Sequence, residues 1–227
     1  MIITTAIGKG GVGKSTLVRA LAPVAAKRGI KTTVVDADRR QNLMRWAALL
    51  DRLGNMPDNF EVLSADDTDE LQTIAISKHD EGRLVFVDTE GTTSDELSAA
   101  LHVADIVLVP VHLAPDDVSA ALQLARHHVP NSIKKRGEPL PVMYVFTNNT
   151  VIDHRARALD EIRTLIQESG TRVASSGLPY RMIYKDMQMG STLYSADRID
   201  NKAIAETEEL FDEILSYVNE PEQAAAE

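Results

Sequence analysis

The sequence predicts an α/β fold: one domain built on a doubly wound, mostly parallel twisted sheet flanked by helices. Three observations predict it. Five short apolar runs (Ile2–Ile7, Thr33–Val35, Leu84–Val87, Ile106–Val109 and Val142–Phe146) have the length and composition of strands buried on both faces. The segments between them carry apolar residues at helical spacing, and strands alternating with helices imply right-handed crossovers. A glycine-rich stretch, Gly8-Lys-Gly-Gly-Val-Gly-Lys-Ser-Thr16, directly follows the first run. At 227 residues the chain suits a single domain with a sizeable core. That domain is expected to span 1–219, with 220–227 a frayed acidic tail.

In chain order, the first run feeds the loop at Gly8–Thr16. Gly8, four intervening residues and Gly13-Lys14-Ser15 form the phosphate-binding loop pattern, which narrows the fold to a P-loop NTPase. Gly8, Gly10, Gly11 and Gly13, with Val12 among them, are expected to let backbone N–H groups turn towards a polyphosphate. The helix starting near Ser15 adds its dipole. Lys14 can reach the β- and γ-phosphates, and the Ser15 hydroxyl can ligate magnesium. That helix, reaching about Arg28, contains Pro23, which should kink it or loosen a turn, and Gly29 closes it.

The second run leads into Asp36-Ala-Asp38-Arg-Arg-Gln-Asn42, where two carboxylates one residue apart can both approach a nucleotide-bound metal. Asp38 or Asn42 is also placed to cap the next helix, whose stripe is Leu43, Trp46, Ala47 and Leu50. Trp46 reads first as core. The third run ends in Asp88-Thr-Glu-Gly91, an acid placed to hold magnesium through water and a glycine free to touch the γ-phosphate. After the fourth run, Pro110 limits strand hydrogen bonding and Asp116 is expected to cap the helix with stripe Val118, Ala121, Leu122 and Ala125. The fifth run ends at Thr147-Asn148-Asn149, where Asn148 is either an adenine-reading amide or a turn residue. A third stripe joins Ile152, Ala156, Leu159, Ile162 and Ile166. No Asn-Lys-x-Asp guanine-reading pattern occurs, which favours ATP over GTP.

Composition removes several function classes. Hydrophobic residues at 44% and charged residues at 26% are ordinary for a globular domain. With no cysteine there is no disulfide and no thiolate metal site. His127-His128 lacks a third ligand at metal spacing. No apolar stretch nears the roughly 18 residues of a membrane span, and the N-terminus reads as a core strand rather than a signal peptide, so a cytoplasmic protein is expected. The net charge is −10, but 203–227 hold eight acids and no Lys or Arg, leaving 24 basic and 26 acidic residues elsewhere. A nearly neutral body leaves room for a basic patch. The last amphipathic stretch, 203–218, sets Ile204, Phe211, Ile214, Leu215 and Val218 on one face and acids on the other. It should pack on the body rather than lie on anionic lipid.

The loop's second lysine, Lys9, is not required by the general pattern. With it, residues 9–15 resemble the Lys-Gly-Gly-x-Gly-Lys-Ser/Thr loop of the ParA/MinD family of deviant Walker-A ATPases. The resemblance implies an ATPase using magnesium, dimeric when ATP-bound, with Lys9 reaching the partner's nucleotide. It places Asp36 near the magnesium and gives Asp38 the attacking water. It also implies ATP-dependent, sequence-independent DNA binding, for which the candidates are Arg126, Lys134, Lys135, Arg136, Arg155, Arg157, Arg181 and Lys185; each could equally be a solvated surface residue. The leading expectation is a short partition ATPase that segregates a plasmid, associates with the nucleoid and is stimulated by a centromere-binding partner. Leu43-Met-Arg45-Trp46, Asp88-Thr-x-Gly91 and Ser94-x-Glu96-Leu97 resemble instead the VirC-type ATPase of conjugative transfer, whose partner would be a relaxosome. An ATP-timed positioning or scaffold protein is a third expectation.

Overall fold

The computed structural model describes residues 1–90, 94–149, 163, 164, 166 and 171–224. The strands are β1 (Ile2–Thr5), β2 (Thr32–Ala37), β3 (Phe60–Ser64), β4 (Leu84–Thr89), β5 (Ile106–Val111), β6 (Val142–Phe146) and β7 (Arg172–Val173). They form one sheet in the order β3-β2-β4-β1-β5-β6-β7, every pair parallel. The order reverses at β1, so the loop that follows β1 sits at the carboxyl edge where such sheets bind ligands. All five expected runs are strands, and two edge strands join them. β3 is only half-buried and mixes Glu61 and Ser64 with Phe60, Val62 and Leu63, so its sequence carries no continuous apolar run. β7 is two residues long.

Successive strand residues face opposite sides, as the pleat requires. Ile3, Val34, Phe86, Ile106, Met143 and Val145 point towards α1 (Lys14–Lys27), α2 (Asn42–Leu53), α7 (Met182–Asp186) and α8 (Asn201–Ala224). Ile2, Val35, Val85, Val87, Val107 and Val109 face α3 (Thr68–Asp80), α4 (Ser94–Val103), α5 (Pro115–Gln123) and α6 (Val129–Arg136). α1 runs through Pro23 without a break and Pro23 is buried, so the expected local loosening does not interrupt the helix. Gly29 closes it in the left-handed region at φ 81°.

Trp46 is buried in the core, edge-on to Phe60, and its Nε1 donates to the Ser191 carbonyl at 3.0 Å. The amphipathic end of the chain is α8, whose Ala203, Leu210, Phe211 and Ile214 enter the core beside α1. Its backbone continues to Ala224, past residue 219 where fraying is expected to begin. Asp116 does not cap α5. The cap position is Ala114, extended, with no side-chain acceptor, because Pro115 starts the helix and moves Asp116 into the first turn. No helix among the described residues is long and apolar enough to cross a membrane. Most of the third stripe, with Arg155 and Arg157, lies outside the described residues.

Candidate nucleotide and metal site

The loop between β1 and α1 is shaped by two residues that only glycine serves well. Gly11 and Gly13 have φ of 82° and 100°, and a Cβ on Gly13 would lie 3.2 Å from Thr147 Oγ1. That hydroxyl donates to the Val12 carbonyl at 2.9 Å, so the end of β6 braces the loop from below. Gly13 caps α1 with no side chain, which leaves the first-turn N–H groups open to an anion. Gly10 departs from the expectation that every glycine of the loop is needed for its turn. It is exposed, its φ is outside the left-handed region, and a Cβ there would meet nothing within 4 Å. The subunit's own fold therefore does not require glycine at position 10, and the turn is made by Gly11 and Gly13.

Lys14 is buried, and its Nζ donates to the Lys9 carbonyl at 3.1 Å. Burial lowers its pKa, while Asp88, Asp38 and Glu90 pull it back up. Beside it, Ser15 Oγ donates to Asp88 Oδ2 at 2.5 Å and Thr5 Oγ1 donates to Asp88 Oδ1 at 3.0 Å. Register explains the cluster, since Asp88 pairs with Thr5 on one side and with Asp36 on the other. Two carboxylates thus stand on adjacent strands. Burial raises the Asp88 pKa to about 6, with Asp36 adding to the rise and Ser15, Lys14 and Thr5 opposing it.

Burial also raises Asp36, against three backbone donors. Its Oδ2 accepts from the N–H of Leu43 at 2.8 Å and of Met44 at 3.0 Å, and Oδ1 accepts from Asp38 N–H at 3.2 Å. Asp36 is therefore the acceptor for the start of α2, the task expected of Asp38 or Asn42. Position Gln41, left-handed at φ 49°, brings no side-chain cap, and Asp36 on the neighbouring strand reaches the open N–H groups instead. Asp38 is half-buried and accepts from Arg40 N–H at 2.8 Å, which tightens the turn and leaves its second oxygen free of any hydrogen bond among the described residues.

This donor set fits magnesium. Asp36, Asp88 and the Ser15 hydroxyl are hard oxygen ligands, and the two buried carboxylates lie side by side with Lys14 and the buried Arg19 acting on them. Among the described residues no three His, Cys, Asp or Glu form a metal cage. The set is that of an ion which also leans on substrate phosphates. Gly91 lies outside the described residues.

Two residues unassigned from the sequence complete the rim. Asp117, buried at the first turn of α5, has Oδ1 2.5 Å from Lys9 Nζ and Oδ2 3.3 Å from His112 Nδ1. His112 lines a cavity of about 200 Å³ with Gly11, Gly13, Thr16, Thr147, Asn148, Leu178, Arg181, Tyr184 and Lys185. Burial lowers the His112 pKa. Asn148 is exposed at its mouth, left-handed at φ 59°, with its N–H donated to the Leu178 carbonyl at 2.7 Å. Adenine reader and turn residue are therefore compatible roles for it.

The basic candidates separate. Arg181 makes paired bonds to Glu206 at 2.8 and 2.9 Å and reaches Asp200 at 3.3 Å, so α8 neutralises it. Arg136 donates to the carbonyls of Leu101, His102 and Ala104 at 2.6–2.9 Å and closes the end of α4. Lys185 lies over the Tyr180 ring. Arg126, Lys134 and Lys135 are exposed, with Lys135 touching Ser98 Oγ at 3.4 Å.

Residues 1–194 match the family model described as VirC1 protein. A ParA protein of Rhizobium radiobacter is 29% identical over 199 residues, covering 86% of this chain and 85% of that protein. A VirC1 protein of the same organism is 28% identical over 127 residues, 56% of this chain and 55% of its own length. Among solved structures, the septum site-determining protein MinD of Pyrococcus horikoshii, complexed with Mg-ADP, superposes with a TM-score of 0.69 at 16% identity. That superposition covers 94% of this chain and 95% of the other. With the loop, the paired strand-end aspartates and the sheet order in place, the chain belongs to the VirC1 protein family, within the ParA/MinD group of ATPases.

Proposed function

We propose that the chain is a magnesium-dependent ATPase that dimerises on ATP, binds DNA without sequence preference in that state, and segregates or positions a plasmid or other low-copy DNA. The observation that carries this reading is the row Thr5–Asp88–Asp36 directly beneath Lys14 and Ser15, which joins a polyphosphate cradle to a hard-cation site. Magnesium bound there supplies charge neutralisation of the β- and γ-phosphates. Gly8–Thr16 bind the phosphates, Lys14 holds their charge in a buried position, and Asp38 directs its free oxygen to the attacking water. Lys9 completes the site of the second subunit. Hydrolysis is slow until a partner protein accelerates it, and loss of the γ-phosphate withdraws the bias towards the dimer.

DNA contact falls to Arg126, Lys134 and Lys135, since Arg136 and Arg181 are held by carbonyls and carboxylates. The protein works in the cytoplasm at the nucleoid, without a membrane: the acids of α8 are bound to its own body. The ParA relative, aligned over most of both chains, supports partition with a centromere-binding partner. A second reading, recruitment of a relaxosome in conjugative transfer, is favoured by the family match across 1–194. Asp38→Ala should bind ATP, stay dimeric on light scattering and lose turnover. Turnover at the wild-type rate would remove Asp38 from the chemistry.

A further inference from the structure

Lys9 is the loop residue that the proposed function sends to another subunit, yet here it is held at home. Its ammonium meets Asp117 Oδ1 at 2.5 Å, and Asp116 on the same turn adds a weaker attraction. Asp117 is buried, with a side chain only 6% exposed, whereas that of Lys9 is 40% exposed. The carboxylate cannot follow the lysine outwards, so the lysine must leave it. Departure strands a buried charge with His112 as its remaining neighbour at 3.3 Å, and uncovering a buried carboxylate is costly.

We infer that Asp117 is a positioning residue that parks Lys9 on its own subunit, and that a second copy of this chain can dock only after Lys9 leaves Asp117. The inference rests on the proposed reach of Lys9 to the partner's nucleotide. The loop also supplies a release. Lys14 Nζ straps the loop by donating to the Lys9 carbonyl at 3.1 Å, and an incoming polyphosphate takes that ammonium for itself. Once the strap is gone, the backbone at Lys9 is freer to turn and draw its side chain from Asp117. His112 links the same carboxylate to the wall of the nucleotide cavity. Nucleotide arrival then shifts the balance towards lysine release, while part of the population stays parked. A subunit with an empty loop is kept from pairing because its lysine is occupied, and the parked population reduces the apparent affinity between copies.

The test is sedimentation of the full chain with magnesium and a non-hydrolysable ATP analogue, comparing wild type, Asp117→Asn, Asp117→Glu and Lys9→Ala. Asp117→Asn should reach half-dimerisation at about a tenfold lower protein concentration, because less of the population is held in the parked form. Asp117→Glu, which keeps the charge, should stay near wild type, and Lys9→Ala should remain monomeric. Dimerisation of Asp117→Asn at or above the wild-type concentration, with Lys9→Ala monomeric, overturns the parking role and leaves the trans role standing. If Lys9→Ala dimerises like wild type, the trans role falls and the inference with it. A second measurement needs no variant to fold. In the nucleotide-free wild type, acylation read by mass spectrometry should modify Lys9 more slowly than exposed Lys31, and equal rates overturn the inference.

Discussion

Two sets of carboxylates sit at opposite ends of this molecule's charge scale. Asp36 and Asp88, on adjacent strands beneath the loop, are buried, and burial raises both pKa values. The acids around α8 are matched one by one. Glu206 and Asp200 hold Arg181, Asp212 takes both Nη atoms of Arg28, Glu208 accepts from Tyr194, and Glu213 accepts the N–H groups of Ser175 and Ser176. Arginine pairing pulls the Asp212 carboxyl below its usual value. Lys14 and the buried Arg19 act on the first set, yet burial outweighs them and holds both carboxyls up, whereas the second set is exposed enough to be met by single donors. Net charge alone does not separate the two, although one belongs to a site and the other to a seam.

The largest test of the contrast is Lys14→Ala. If the buried ammonium beside the Asp36–Asp88 pair is the phosphate ligand, its loss should weaken ATP binding by about a hundredfold, from the roughly 3 kcal/mol upper range of a charged hydrogen bond. Titration with a fluorescent ATP analogue measures it, and unchanged affinity would dissolve the distinction.

Next comes Asp88→Asn in the nucleotide-free protein. The folded pKa is raised from 3.8 to about 6, so stability from the neutral form is complete below about pH 4 and is lost as the pH rises through 6. At about 1.4 kcal/mol per unit, that rise corresponds to about 3 kcal/mol. The asparagine variant keeps the neutral state, and the Ser15 and Thr5 hydroxyls can accept as well as donate. It should therefore match wild type near pH 4 and exceed it at pH 7 in urea unfolding. An equal or lower stability at pH 7 would show that burial of the Asp88 charge is not costly.

The smallest effect belongs to the set around α8. Arg28→Ala removes an exposed ion pair with Asp212 and a stacking contact on Phe211, and should cost about 1 kcal/mol or less, shrinking further in salt. A loss several times larger would make α8 part of the site's charge system rather than a seam.

Legibility in the sequence follows chemical locality. The phosphate loop is readable because strand, glycines, lysine, serine and helix occupy consecutive positions, and Asp88 because an acid ends an apolar run. Which of those glycines the turn needs is not readable, because Gly10 and Gly11 are adjacent and identical and only the backbone angles tell them apart. The burial of Trp46 and the docking of α8 follow from apolar spacing. The features that escape a sequence reading depend on partners outside the short window in which sequence spacing is informative. Asp117 acts chiefly through Lys9 on the phosphate loop, far away in sequence, and His112 five positions before it gives no sign of that pairing. Asp36 caps a helix that begins six residues later, beyond the usual window of a capping side chain. Arg136 reads as a member of a basic surface because its three carbonyl acceptors belong to the end of another helix and its connection.

The contact between α1 and α8 has a consequence for how the molecule comes into being. Leu17, Leu21 and Val24 of α1 share their core with Leu210, Phe211 and Ile214 of α8, far away in sequence. Contacts so distant in sequence are slow to form, and a ribosome delivers their second half last. The helix behind the phosphate loop therefore stays uncovered on one side until α8, far along the chain, has been synthesised. Nucleotide can stabilise the finished loop, yet maturation of the site waits on translation of its most distant wall.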